Sequence, residues 1–235
     1  MLTWKQCRSW LFAAVIVNAA VASAQVVPHI AAGPYKVGFS QVVEVQPSTP
    51  IGARPLIFTL FYPVDPAAVT SSTPRPNYAA VTNPRVFPSA AFDQFGYEPS
   101  YSGLPVASGG PFPVLLYSHG YGAPWFIALH FAPKLATYGY VVVTLGHFGD
   151  GQMHEAAALK LRDGDMKFAI DRLLQRNGAS GDLLAGTIDP EKIAAGGWSF
   201  GGYNATVLAG GDDNVCEYLS PSPPAWACTP ISPDP

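Results

Sequence analysis

Apolar residues in this chain fall into short unbroken runs and one long helical stripe, with turn formers between them. Residues 33–45 (GPYKVGFSQVVEV) and 55–62 (PLIFTLFY) are rich in β-branched and aromatic side chains and predict two strands, the second closed by Pro63. Residues 63–111 carry many prolines, glycines and serines without a period, which predicts a long irregular surface insertion. Beyond it, residues 112–117 (FPVLLY) and 140–145 (YVVVTL) are continuous apolar runs of the kind that a strand buried on both faces requires. Residues 124–138 between them predict a helix. Residues 153–176 repeat apolar positions at Leu159, Leu161, Met166, Phe168, Ile170, Leu173 and Leu174, a helical pattern that Gly164 could break. A turn at 187–190 then leads into a short strand, KIAAGG. The succession of strand and helix predicts an α/β fold with a mostly parallel sheet flanked by helices.

Such sheets bind ligands at the carboxyl ends of their strands, and three loops fall there: SHGYG, GHFGDG and the turn after KIAAGG. That last turn is GGWSFGG, residues 196–202, which holds the pattern G-x-S-x-G around Ser199. A strand that reverses into a helix over one residue strains that residue and leaves no room for neighbouring Cβ atoms, hence the glycines. Ser199 would project from the sheet edge, where its hydroxyl can meet a carbonyl carbon at the positive end of the next helix. The competing reading is a glycine-rich turn whose serine only caps that helix. A serine nucleophile also needs donors aimed at the oxyanion. The backbone N–H groups of Phe200, next after the serine, and of Tyr121 in the SHGYG loop are the candidates. His119, Trp125, Phe126, Phe148 and Trp198 lie in or beside these loops and are candidate pocket residues, although aromatic residues there serve equally well as core. Asp150 reads as a loop-capping carboxylate.

Composition narrows the class. A 235-residue chain that is 49% hydrophobic is long enough for one domain with a proper core. Charged residues make up 12%, the formal net charge is -3, and neither sign forms a run, so no footprint for nucleic acid is present. Cysteine and histidine show no metal-type spacing. The first 24 residues predict a signal peptide: Lys5 and Arg8, an apolar stretch from Leu11 to Val21, then Ala22-Ser23-Ala24 before Gln25. The stretch is short for a membrane span, so no stable span is expected after leader cleavage; an uncleaved anchor is the weaker alternative reading. Removing the leader shifts 13 basic and 16 acidic residues to 11 and 16, a balance of -5. A secreted or periplasmic location follows, with residues 25–235 as the mature domain. Cys216 and Cys228 are then the remaining thiols, either a disulfide suited to an oxidising compartment or two unpaired cysteines.

The stretches GPYKVGF, FYPV, FPVLLYSHGYG, ATYGYVVVTLGHFGD and IDPEKIAAGGWSFGG together resemble α/β-hydrolases of the platelet-activating-factor acetylhydrolase and dienelactone hydrolase-like group. The GWSFGG turn is also similar to that of secreted polyester and cutinase-like hydrolases, so the ester is left open. The resemblance implies Ser199 as nucleophile, Tyr121 and Phe200 as oxyanion donors, and ester hydrolysis through an acyl-enzyme without metal or organic cofactor. It implies a small-molecule, lipid or polymer ester as substrate. It also implies a chain order of Ser, then acid, then His. This sequence departs from that order. All five histidines (His29, His119, His130, His147 and His154) precede Ser199, and the acids after it are Asp212, Asp213, Glu217 and Asp234. His147 ends a strand that the family's order separates from the Ser199 strand, so it reads as a loop histidine shaping the pocket. The expectation is an N-terminal portion of a longer hydrolase whose C-terminal strands are missing; the alternative is a non-catalytic binding remnant, a pseudoenzyme of the same fold.

Overall fold

Two-faced burial is what the unbroken apolar runs predict, and the computed structural model places them in one sheet with helices on both sides. It describes residues 31–76, 98–213 and 223–228. The predicted leader and Cys216 lie outside them. Six strands, β1 (Lys36–Gln46), β2 (Arg54–Val64), β3 (Ser100–Ser102), β4 (Phe112–Ser118), β5 (Val141–His147) and β6 (Ile188–Gly197), stand in the order β3-β1-β2-β5-β4-β6. The sheet is mixed: β5, β4 and β6 are mutually parallel, while β2 runs antiparallel to both β1 and β5. The short β1–β2 connection permits antiparallel pairing, and the helical crossovers that follow β4 and β5 permit the parallel arrangement of β4, β5 and β6.

Alternate residues of each central strand serve opposite faces. Val114 and Leu116 of β4 and Val141, Val143 and Leu145 of β5 pack with Met166, Ala169 and Leu173 of α2 (Glu155–Gly178). Leu115, Tyr117 and Val142 meet the other layer, a 3-10 segment (Trp125–His130) and α1 (Ala132–Thr137). The third helix, α3 (Phe200–Leu208), lies beside α2 with Ala205 and Leu208 against the first core.

Several expectations shift in detail. The predicted helix over 124–138 is a 3-10 segment followed by a short α-helix, because Pro133 in the first turn of α1 starts a new helix. Gly164 does not interrupt α2, whose packing on the sheet outweighs the roughly 1 kcal/mol that glycine costs in a helix interior. Pro63 does not end β2: pairing with β5 stops at Phe61, so a residue without an N–H is tolerated where β1 is the remaining neighbour. The insertion contributes a strand, β3, parallel to the start of β1. Of the turn expected at 187–190, Thr187 ends a turn and residues 188–190 open β6, whose register against β4 shifts after Ile188, where Glu191 N–H donates to Asp189 Oδ1.

β6 is an edge strand among the described residues, and its Ala194 and Ala195 are exposed.

Candidate active site

Leaving β6, the chain passes Trp198 and reaches Ser199 at φ +54 and ψ −120, the single non-glycine residue with positive φ among the described residues. Such a conformation costs about 1–3 kcal/mol and persists only when its surroundings fix it. Here Trp198 N–H donates to Ser118 O (3.3 Å), Gly201 N–H to Trp198 O (2.9 Å) and Tyr203 N–H to Ser199 O (3.1 Å). The glycines two residues away on either side are sterically required. A Cβ on Gly197 would stand 2.2 Å from Gly201 C, and one on Gly201 would stand 1.9 Å from Ser118 O. Gly196 meets only an ordinary contact, so the requirement falls on the G-x-S-x-G positions themselves.

Ser199 is exposed, and its side chain makes no cap hydrogen bond to α3, so the helix-cap reading does not describe it. Its carbonyl accepts from within the helix, which turns the following N–H, that of Phe200, toward the open N-terminal end. Across from it runs the loop after β4. A Cβ on Gly120 would lie 3.5 Å from Ser199 Cβ and 2.6 Å from the Trp198 ring, so backbone approaches the serine closely on this side. The Tyr121 and Phe200 rings are 5.1 Å apart, centroid to centroid. The structure therefore brings Tyr121, Phe200, Trp198 and Ser199 together.

The other candidates divide. Trp198 is 57% exposed beside the serine, and Phe148 is 64% exposed at the end of β5. Trp125 is buried in the second core with Phe39 and Phe61. His119 is buried, its Nδ1 hydrogen bonded to Gly120 O (2.7 Å), and burial first, then His147 and Arg162, push its pKa down to about 3, so the ring is neutral. Cys228 is disulfide-bonded.

His147 is sealed beneath the loop. Asp165 Oδ2 already accepts from Arg54, so it also accepts at 2.7 Å from His147 Nδ1–H, and His147 Nε2 accepts from the Ser118 hydroxyl at 2.9 Å. The order serine, histidine, aspartate has the hydrogen-bond logic of a catalytic triad, yet all three side chains are buried. It ties β4 to β5, α2 and β2. Burial, then the Arg162 and Arg54 charges, hold His147 well below the usual histidine range. β4 stands between β5 and β6, as the family's strand order predicts. Among the described residues the Ser199 hydroxyl has no hydrogen-bond partner, and thus no base.

The family model for platelet-activating factor acetylhydrolase, isoform II, matches residues 19–160, more than half of the chain. This chain belongs to that family. The matched stretch holds His119, Tyr121 and Asp150 and ends before the Ser199 turn. Among solved structures, a ferulic acid esterase from Streptomyces cinnamoneus superimposes with a TM-score of 0.59 at 22% sequence identity, over 78% of this chain. The likeness identifies the α/β-hydrolase fold, and this chain spans 58% of that one's length. No curated protein matches the sequence.

The site also rests on residues that sequence reasoning passed over in this family member: Arg54, Ser118, Arg162, Asp163, Asp165 and Asn204, all buried. One signal was present. Arg162 and Asp165 interrupt the apolar stripe of α2 at helical spacing from Leu159, Met166 and Ala169, so their side chains face inward. Charges at such positions require buried partners.

Proposed function

We propose that this protein is an exported serine hydrolase of carboxylic esters. Ser199 Oγ attacks the ester carbonyl, the Tyr121 and Phe200 N–H groups hold the oxyanion, the alcohol leaves, and water releases the acid from the acyl-serine. The observation that carries the reading is Ser199 itself: a strained, exposed serine whose hydroxyl makes no helix-cap bond, closely approached by the backbone of the loop after β4 at Gly120. Trp198, with Phe200, Tyr203 and Trp226 around α3, offers apolar surface for the acyl or alcohol part. Family membership supports an ester as the substrate class. A leader at residues 1–24 would carry the protein to an oxidising compartment, which suits a disulfide at Cys228.

The histidine that activates Ser199 and its carboxylate would come from elements that add to the open edge of β6. That edge presents exposed Ala194 and Ala195, and parallel strands of this kind are normally covered. The intact mass of the protein from its source tests this part, and a mass well above that of residues 25–235 is expected. The enzyme itself is tested with p-nitrophenyl butyrate: hydrolysis is expected in the protein and lost in Ser199→Ala. Turnover that persisted in the variant would remove Ser199 from the mechanism. Ester binding without turnover at the full mass would favour a non-catalytic member of the fold.

A further inference from the structure

Arg162 is fully buried under the loop after β4, and its planar fork reaches several of that loop's acceptors at once. Nη1 donates to His119 O, and Nη2 donates to Gly120 O (3.1 Å). Gly120 O also accepts from His119 Nδ1–H (2.7 Å) and Ala123 N–H (3.0 Å). Asp150 completes the clamp. It accepts Arg162 on both carboxylate oxygens, and its Oδ2 accepts Gly122 N–H at 2.6 Å.

The consequence lies in peptide geometry. Across a trans peptide, the C=O of one residue and the N–H of the next point in opposite directions. With Gly120 C=O held inward by three donors, Tyr121 N–H must point outward, and it finds no acceptor among the described residues. The same loop backs onto Ser199 through Gly120. We propose that Arg162, braced by Asp150, is the positioning residue that aims the Tyr121 N–H at the oxyanion beside Ser199. This inference rests on the esterase reading above. Lysine cannot replace it, because a single ammonium lacks the flat array of donors that meets two carbonyls and a carboxylate together.

The test compares the protein with Arg162→Lys, and with Asp150→Asn in case the lysine variant does not fold. Arg176→Lys, in the ion pair with Asp182 near the end of α2, is the control for general stability. An oxyanion donor acts in the transition state and not in substrate binding, and removing one outright costs about 10²–10³ in kcat. Misaiming it through Arg162→Lys is expected to lower kcat for p-nitrophenyl butyrate by roughly tenfold to hundredfold with KM little changed, while Arg176→Lys keeps kcat. Unchanged kcat per folded Arg162→Lys molecule would overturn the positioning role and leave the esterase reading standing. If the protein itself shows no Ser199-dependent turnover, the esterase reading falls instead. The residual dipolar coupling of the Tyr121 N–H then decides the orientation claim without turnover: a changed value in the variant, against constant values in β4 and α2, supports it, and an unchanged value overturns it.

Discussion

The joint between α2 and α3 carries a sharp prediction about pH. Asn204 on α3 donates from Nδ2 to Asp163 Oδ1 (2.6 Å) and to Leu159 O (3.0 Å) on α2. The other two oxygens, Asp163 Oδ2 and Asn204 Oδ1, are buried without a partner among the described residues. A buried carboxylate oxygen with no donor disfavours the charged form of Asp163. Burial pushes the Asp163 carboxyl up to about 7, against the Asn204 bond and Lys160, with Asp213 and Asp165 adding to the rise. The folded state therefore keeps a proton between about pH 4 and 7 that the unfolded chain releases. Stability from this site is complete below about pH 4 and is lost as pH rises through 7. At about 1.4 kcal/mol per pH unit over roughly three units, the loss is about 4 kcal/mol. Asp163→Asn cannot ionise. Asp165, also raised chiefly by burial, is present in both proteins. Urea unfolding at pH 5, 6, 7 and 8 provides the measurement. The variant's advantage is expected to grow by roughly 3 kcal/mol between pH 5 and pH 8, a midpoint difference that widens by about 1 M for a slope of 2–3 kcal/mol/M. A difference that stayed constant across pH would refute a buried neutral Asp163. Because α3 starts at the Ser199 turn, this joint also fixes the helix that presents the Phe200 N–H.

Other substitutions test the remaining supports. Gly201→Ala sets a methyl 1.9 Å from Ser118 O in a central strand, and a loss of about 3 kcal/mol or more is expected, read as a melting point lower by several degrees; a melting point within one degree would contradict the close approach. Ser118→Ala leaves His147 Nε2 buried without its donor and is expected to cost about 1–3 kcal/mol in urea unfolding. Leu60→Ala in β2, fully buried in the first core, is expected to cost about 2–5 kcal/mol. Trp198→Ala, at an exposed position, is expected to leave stability within about 0.5 kcal/mol while raising KM for longer acyl esters; an unchanged KM would remove Trp198 from the pocket.

Much of this molecule was legible from residue order alone. Continuous runs such as FPVLLY and YVVVTL named the central strands, because a strand covered on both faces has no polar alternation to disguise it. The Ser199 turn could be read because its constraint is local: glycines at 197 and 201 answer to crowding within a few residues and to one neighbouring strand. What depended on distant partners could not be read. Pro63 inside β2 and Gly164 inside α2 break local rules that packing overrides, and β3 takes its structure from pairing with β1. Trp125 stands beside a site loop in sequence, and only the tertiary structure puts its ring in the core with Phe39 and Phe61. The buried system under the site is the extreme case. Arg54, Ser118, His147 and Asp165 come from β2, β4, β5 and α2, and Arg162 meets Asp150 and the loop after β4 across a similar distance. A charge in a helical stripe reveals that it is buried, but its partner is set by which strands the fold makes neighbours. Sequence determined where the strained Ser199 turn stands; the tertiary structure decided which groups hold its surroundings in place, because those bonds exist only between segments that folding brings together.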